Sequence, residues 1–335
     1  MATLKDVARE TGLTVSTVSR VLNNRGYISD TAREKVNAAM AKLHYQPNEV
    51  ARSLSKKSSN TIGVIVPHIR HPYFAELISN LEAAAAKKKY KIILLNAHDE
   101  ADKFSEYMDL CTSNRVAGII LCNGTVPMDK FIDTHIPVVT IERFLEMGTA
   151  SVECDNCEGG CLAAKELIDC GCRHLLHISG VYEVKMPADD RCKGFVEVCE
   201  SCGVAHREIM TSELQYHNQE YYDFLEQLLQ EYPETDGVFA SSDLIAAQIL
   251  QVCAKHGISV PGRLQIVGFD DVNLAKLTTP TITTIHQPIK EMAQMAVNLL
   301  QASVTGELVA RKTVLPVSLV HRKTTCFKTK QQEKI

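Results

Sequence analysis

No apolar run in this 335-residue chain approaches the ~18 residues needed to span a bilayer. The first ten residues are polar and charged, without the apolar core of a secretory leader, which predicts a cytoplasmic protein. No internal repeat or low-complexity tract stands out, which sets aside repeat architectures. Enzyme signatures are missing as well. There is no G-x-x-x-x-G-K-[ST], no G-x-S-x-G and no H-E-x-x-H, and no G-x-G-x-x-G follows the first candidate strand. Those absences argue against phosphate-loop, serine-hydrolase, zinc-protease and dinucleotide chemistry. His286 could pair with Asp270 as acid and base, but no nucleophile or metal set accompanies them.

Twelve cysteines are present, and in a cytoplasmic protein they read as reduced thiols, not as a disulfide framework. Cys154, Cys157 and Cys161 form C-x2-C-x3-C, and Cys199 and Cys202 form a second C-x2-C. Zinc or an iron–sulfur cluster would need four convergent ligands. Cys161 instead falls inside an apolar-periodic helix, and Cys199 and Cys202 end another. The expectation is therefore small core hydrophobes, with no metal and no cofactor.

Charge separates the first sixty residues from the rest. Residues 1–59 carry ten Lys/Arg and five Asp/Glu, a net +5, whereas the whole chain is −4. A basic module on an acidic body suits phosphate binding at one end only. Within it, Leu4–Asn23 holds two short apolar-periodic runs with Gly12 between them. Thr3 reads as an N-cap with Asp6 three residues on, and Thr14 as a second N-cap. Leu4, Val7, Ala8, Leu13, Val18, Val21 and Leu22 fall at helical spacing for one small core, while Ser16, Thr17, Ser19 and Arg20 make the opposite face polar. That is the pattern of a helix-turn-helix whose second helix enters a major groove. A three-helix bundle with a merely solvated basic face is the alternative. Ser29 predicts the start of a third helix over 30–43, and His44–Asn48 ends it ahead of a short helix and a Ser/Lys linker. Two helical turns are marginal alone in water, so that short helix is expected to form against DNA.

From Thr61 the chain alternates apolar strands with amphipathic helices. This predicts an α/β core of two doubly wound parallel-sheet halves with a cleft between them. Ligands in such sheets bind beyond the carboxyl ends of the strands. Those ends carry Tyr73 and Phe74, Cys122, Glu142, Asp243, Asp270 and Gln287, with Arg191 at a helix start. Carboxylates and a guanidinium can take paired hydroxyls, and an aromatic face can take a sugar ring. Each has a plainer reading: Asp243 as an N-cap, Tyr73 and Phe74 as helix-start core, Asp270 as a turn residue.

The segments TVSRVLN, YQPNEVARSL, HPYFAEL, PVVTIER, VGFDD and TTIHQP together resemble the LacI/GalR family of transcriptional regulators over nearly the whole chain, most of all its sugar-responsive, sucrose-operon-type members. The resemblance implies a homodimeric repressor on a pseudo-palindromic operator, with a periplasmic-binding-protein-like core that takes a small carbohydrate. It implies base reading by Val15, Ser16 and Arg20, and a minor-groove wedge at Leu54. Thr3, Thr17, Ser19, Asn23 and Tyr27, with Asn48 and Ala51 in the hinge, complete the implied DNA-contacting set. It maps Tyr73, Phe74, Cys122 and Glu142, and Arg191, Asp243, Asp270 and Gln287, onto the effector pocket. The implied division is a headpiece over 1–46, a hinge and linker over 47–60, a core over 61–325 and a polar tail over 326–335. Core halves are expected at about 61–155 plus 288–320 and about 156–287. A purine or sugar-phosphate corepressor, or a sugar-binding protein without a DNA role, are the competing readings.

Overall fold

The computed structural model describes residues 2–23, 25–45, 59–98, 100–122, 124, 136–143, 145, 148–180 and 186–326. The expected hinge contacts Asn48, Ala51 and Leu54, and the tail from 327, lie outside the described residues. The chain divides into two compact units, Met1–Ser59 and Asn60–Ile335. Among the described residues no helix is long and apolar enough to cross a membrane.

The first unit holds α1 (Leu4–Thr11), α2 (Val15–Asn23) and α3 (Asp30–Lys42). A reciprocal capping box starts α1: Asp6 N–H donates to Thr3 Oγ1, and Thr3 N–H donates to the Asp6 carboxylate at 2.9 Å. Such a cap is worth about 1 kcal/mol. Gly12 ends the helix at φ 69°, a left-handed position that a side chain would strain. Thr14 caps α2 by accepting from Thr17 N–H at 3.2 Å. Val7, Ala8, Val18, Val21, Val36 and Ala39 form the closed core of the three helices.

The second unit is two six-stranded sheets. Along the chain come β1 (Thr61–Val66), α4 (Pro72–Lys87), β2 (Lys91–Asn96), α5 (Ala101–Ser113), β3 (Gly118–Cys122), β4 (Val138–Ile141) and β5 (Ala150–Cys154). Next are α6 (Asn156–Asp169), β6 (His174–Ser179), α7 (Asp190–Cys202), β7 (Ala205–Met210), α8 (Glu213–Asn218) and α9 (Tyr222–Glu231). Then β8 (Gly237–Ala240), α10 (Asp243–His256), β9 (Gln265–Asp270), α11 (Asn273–Leu277) and β10 (Thr283–His286) follow. The chain closes with α12 (Ile289–Val304), β11 (Lys312–Leu315) and β12 (Ser318–Val320).

The first sheet runs β11-β5-β4-β3-β1-β2, all parallel. The second runs β12-β10-β9-β8-β6-β7, parallel except for antiparallel β12. Inner strands such as β3, β4 and β9 are buried along their length, as strands covered on both faces must be. The edge strands β2 and β7 carry exposed residues.

The chain passes between the sheets three times, at Asp155, at Gln287–Pro288 and at Pro316–Val317. The first and third passages are hydrogen-bonded, Asp155 N–H to Leu315 C=O at 2.9 Å. The third corrects the expected division of the halves, because Ser318–Val320 pairs with β10 and so belongs to the second sheet, not the first. Thr324 and Thr325 hold the segment beyond it there, through Thr283.

Candidate functional site

In the first unit, α2 presents Val15, Ser16 and Arg20 to solvent, with Val15 41% exposed despite being aliphatic. Thr17 and Ser19 are half-buried beside them. Asn23 donates to the Ser19 carbonyl at 2.9 Å and to its hydroxyl at 3.3 Å, so these two are partly occupied with each other. Thr3 is exposed, but its hydroxyl donates to Asp6 at 2.7 Å within the cap. Tyr27 is 98% exposed and shares a shallow recess with Ser19, Arg20, Asn23 and Arg25. Arg25 is a second cation there that the sequence reading had not singled out. Neither arginine forms an ion pair with a described residue. Two uncovered cations, Arg20 on the polar face of α2 and Arg25 just beyond its end, can take phosphate oxygens or base edges.

In the second unit, a cavity of about 100 Å³ opens where the carboxyl ends of the two sheets face each other. His71, Tyr73, Phe74 and Glu142 line it from the first sheet, and Asp270, Arg191 and Ser241 from the second. Gln287, on the second passage between the halves, lines it too. Both acids sit at positive φ, Glu142 at 53° just after β4 and Asp270 at 109° at the end of β9. Non-glycine residues there cost roughly 1–3 kcal/mol each, and such strain concentrates at ligand sites.

Arg191 organises the polar wall. Its Nε donates to Asn156 Oδ1 at 2.8 Å, its NH1 donates to the Ser241 carbonyl at 2.8 Å, and its guanidinium carbon lies 3.5 Å from the centroid of the Phe269 ring. Asn156 in turn donates to Glu142 Oε2 at 2.9 Å, and Cys154 N–H donates to Glu142 Oε1 at 2.6 Å. Burial raises the Glu142 carboxyl, while Arg191 and these donors pull it back down. Asp270 is different. It is 5% exposed, and no described residue donates a hydrogen bond to its carboxylate. Burial raises it well above the usual carboxylate range, opposed chiefly by the charge of Arg191. Gln287 donates to the Tyr73 hydroxyl at 3.3 Å, and its Oε1 accepts from no described residue.

Two expected pocket residues are elsewhere. Asp243 is fully buried and off the cavity wall. Its Oδ1 accepts from the Thr284 hydroxyl at 2.6 Å and its Oδ2 from Val272 N–H at 2.9 Å. Both oxygens are thus used in clamping the β9 and β10 ends, although burial still lifts the group to about 7. Cys122 is packed in the core at the end of β3 and does not line the cavity either.

The cavity has residues that the strand-end rule missed. His177, in the middle of β6, stacks on Phe239 with centroids 4.6 Å apart, and its Nδ1 donates to the Phe239 carbonyl at 3.1 Å. The carbonyl can only accept, which leaves Nε2 as an acceptor. Tyr216 and Tyr221 add aromatic wall from loops and a short helix. A polar residue inside the apolar run LLHIS was the available signal for His177; the tyrosines carried none.

Residues 3–48 match the family of bacterial regulatory proteins, lacI family, and residues 164–325 match the periplasmic binding protein-like domain. A ribose operon repressor of Halalkalibacterium halodurans is 36% identical over 97% of this chain and 97% of its own. A sucrose operon repressor of Streptococcus mutans is 35% identical over 96% of this chain and 98% of its own. Among solved structures, the lac repressor dimer bound to operator superposes with TM-score 0.84 at 25% identity, covering 97% of this chain and 99% of that one. A periplasmic binding protein/LacI transcriptional regulator of Alkaliphilus metalliredigens, complexed with D-xylulofuranose, gives TM-score 0.72 at 32% identity over 80% of this chain and 100% of that one. With a capped helix-turn-helix at one end, two parallel-sheet halves around a polar cavity, and full-length relatives above 30% identity, the chain belongs to the lacI family of bacterial regulatory proteins.

Proposed function

We propose that this protein is a homodimeric transcriptional repressor. It binds operator DNA through the exposed face of α2 and is controlled by one monosaccharide held in the cavity between the core halves. The observation that carries the effector reading is Asp270: a buried carboxylate with no hydrogen-bond donor among the described residues, within reach of the charge of a guanidinium anchored by Asn156 and the Ser241 carbonyl. A carboxylate and a guanidinium side by side are complementary to vicinal hydroxyls, which donate to the one and accept from the other. The cavity volume bears on size. At roughly 10–15 Å³ per water on this measure, about 100 Å³ gives room for one small sugar ring. Relatives that regulate ribose operons, and a neighbour solved with a five-carbon furanose, support a pentose over a larger sugar. Gln287 and Tyr73 bridge the halves, so a ligand touching both sides favours the closed arrangement and shifts operator affinity.

Isothermal titration with a panel of pentoses, hexoses, sucrose and hypoxanthine tests the effector. Operator binding to duplexes selected from a random pool, with and without the tightest ligand, tests the control. The expected outcome is saturable binding of one pentose, none of sucrose, and an operator affinity that moves at least tenfold with ligand. Hypoxanthine as the tight ligand, or an unmoved operator affinity, rejects this reading.

A further inference from the structure

We propose that Cys157, Cys161 and Glu197 form a binding site for a thiophilic divalent cation of the zinc class, on the outer side of the α6–α7 crossing. Cys157 and Cys161 lie four residues apart on α6, hence on one face of it. Glu197 comes from α7 across the helix contact. The two sulfurs and a Glu197 carboxylate oxygen all lie within 4.8 Å of one another. Around a tetrahedral Zn²⁺ with bonds of ~2.3 Å to sulfur and ~2.0 Å to oxygen, ligand atoms stand roughly 3.5–3.8 Å apart. Closing the triad onto a cation therefore takes about 1 Å of side-chain rotation. Glu197 is exposed and both thiols are partly exposed, so they can make it.

The backbone beneath the triad is already fixed. A Cβ on Gly160 would run into the Arg191 carbonyl, and one on Gly194 into the Cys157 carbonyl, so the two helices cross backbone against backbone. Cys161 is pinned to the same crossing, its thiol donating to the Gly194 carbonyl at 3.4 Å. Three ligands on two closely packed helices leave a fourth position for water or an external ligand, as catalytic zinc sites have. Two thiolates and a carboxylate bring −3 to a 2+ ion; Lys193 stands near Cys157 and Lys165 near Cys161, among the further acids Asp155, Glu158 and Asp190. On binding, each thiol gives one proton to solvent, and nothing is oxidised or reduced.

A disulfide is the poorer use of this pair. Helical i,i+4 positions hold Cβ atoms ~5–6 Å apart, whereas a disulfide needs about 3.8 Å. Cys154, first in the C-x2-C-x3-C run, belongs elsewhere. It is buried, with its thiol donating to Asn156 Oδ1 at 3.4 Å.

The test is a Co²⁺ titration of the full-length, reduced protein, followed by the near-ultraviolet thiolate-to-cobalt charge-transfer band. One equivalent should saturate the band, and Zn²⁺ should erase it. Cys157→Ser and Cys161→Ser should each reduce it to a small fraction. Glu197→Gln should keep a band but weaken the affinity at least tenfold. Circular dichroism and operator binding check that each variant is folded. No band in the wild type overturns the site, as does an undiminished band in the Cys157→Ser/Cys161→Ser double variant. Unchanged affinity in Glu197→Gln removes the carboxylate and overturns the three-ligand assignment.

Discussion

Arg191 donates through Nε to the side-chain oxygen of Asn156 at 2.8 Å, and Asn156 spends its own amide on Glu142. The guanidinium is held at Nε by Asn156 and at NH1 by the Ser241 carbonyl, and it lies over the Phe269 ring. Arg191→Ala should reduce effector affinity at least 100-fold and leave operator binding of the ligand-free protein within about twofold of wild type. Asn156→Ala should weaken the effector by roughly 10- to 100-fold, since a charge-assisted hydrogen bond contributes about 1.5–3 kcal/mol. Titration calorimetry and operator anisotropy on the same preparations read both. An Arg191→Ala protein that responds to wild-type ligand concentrations would show a structural arginine.

Asp270 pairs function with strain. Asp270→Gly should raise unfolding free energy by about 1 kcal/mol, because it removes a positive-φ penalty and the burial cost of a carboxylate that the Arg191 charge offsets only in part. The same change should abolish effector binding. Urea unfolding gives the first number and calorimetry the second. A variant less stable than wild type would mean that the Asp270 carboxylate supports the fold.

His177 makes stability depend on pH. Burial holds its ring neutral, with a pKa pushed down to about 4 from 6.5. The unfolded chain takes up a proton at the ordinary value, so this contribution is complete above pH 6.5 and is lost as pH falls toward 4. Its slope is about 1.4 kcal/mol per pH unit. Between pH 6.5 and 5 the wild type should lose about 2 kcal/mol more than His177→Gln. Parallel urea melts at the two pH values decide it; equal losses reject the neutral-ring account.

Arg20 is exposed on α2. Arg20→Ala should cost ~1–3 kcal/mol on the selected operator and much less on random duplex. Equal losses on both would reassign Arg20 to a phosphate. Arg25→Ala should behave in that second way and also lower the salt dependence of binding.

The headpiece was legible because its information is local. Thr3, Asp6, Gly12 and Thr14 act within a few residues of themselves, and each does in the fold what its spacing implied. Strand ends on inner strands were legible for the same reason, which brought Tyr73, Phe74, Glu142, Asp270 and Gln287 to one cavity. Asp243 shows the limit. It starts a helix after β8 as expected, yet its side chain turns away, because Val272, just after β9, and Thr284, in β10, offer donors about 30 and 40 residues on. Strands β5, β7, β11 and β12 escaped too. Along the edge strands β7, β11 and β12, exposed residues break the apolar run by which a strand is recognised. The Cys157–Cys161–Glu197 triad needed the tertiary crossing, since Glu197 lies on a different helix from the two cysteines.

The three passages of the chain between the sheets have a kinematic consequence. Two plates joined by a single strap can swing, twist and slide. Joined by three, with the first and third stitched together at Asp155 and Leu315, they keep one easy motion, a bend about the straps. Sliding or lifting one plate off the other would stretch at least one passage. Ligand admission and the signal sent to the rest of the dimer are then the same coordinate, a single angle. A substitution that stiffens any one strap should slow sugar entry and blunt the regulatory response by the same proportion.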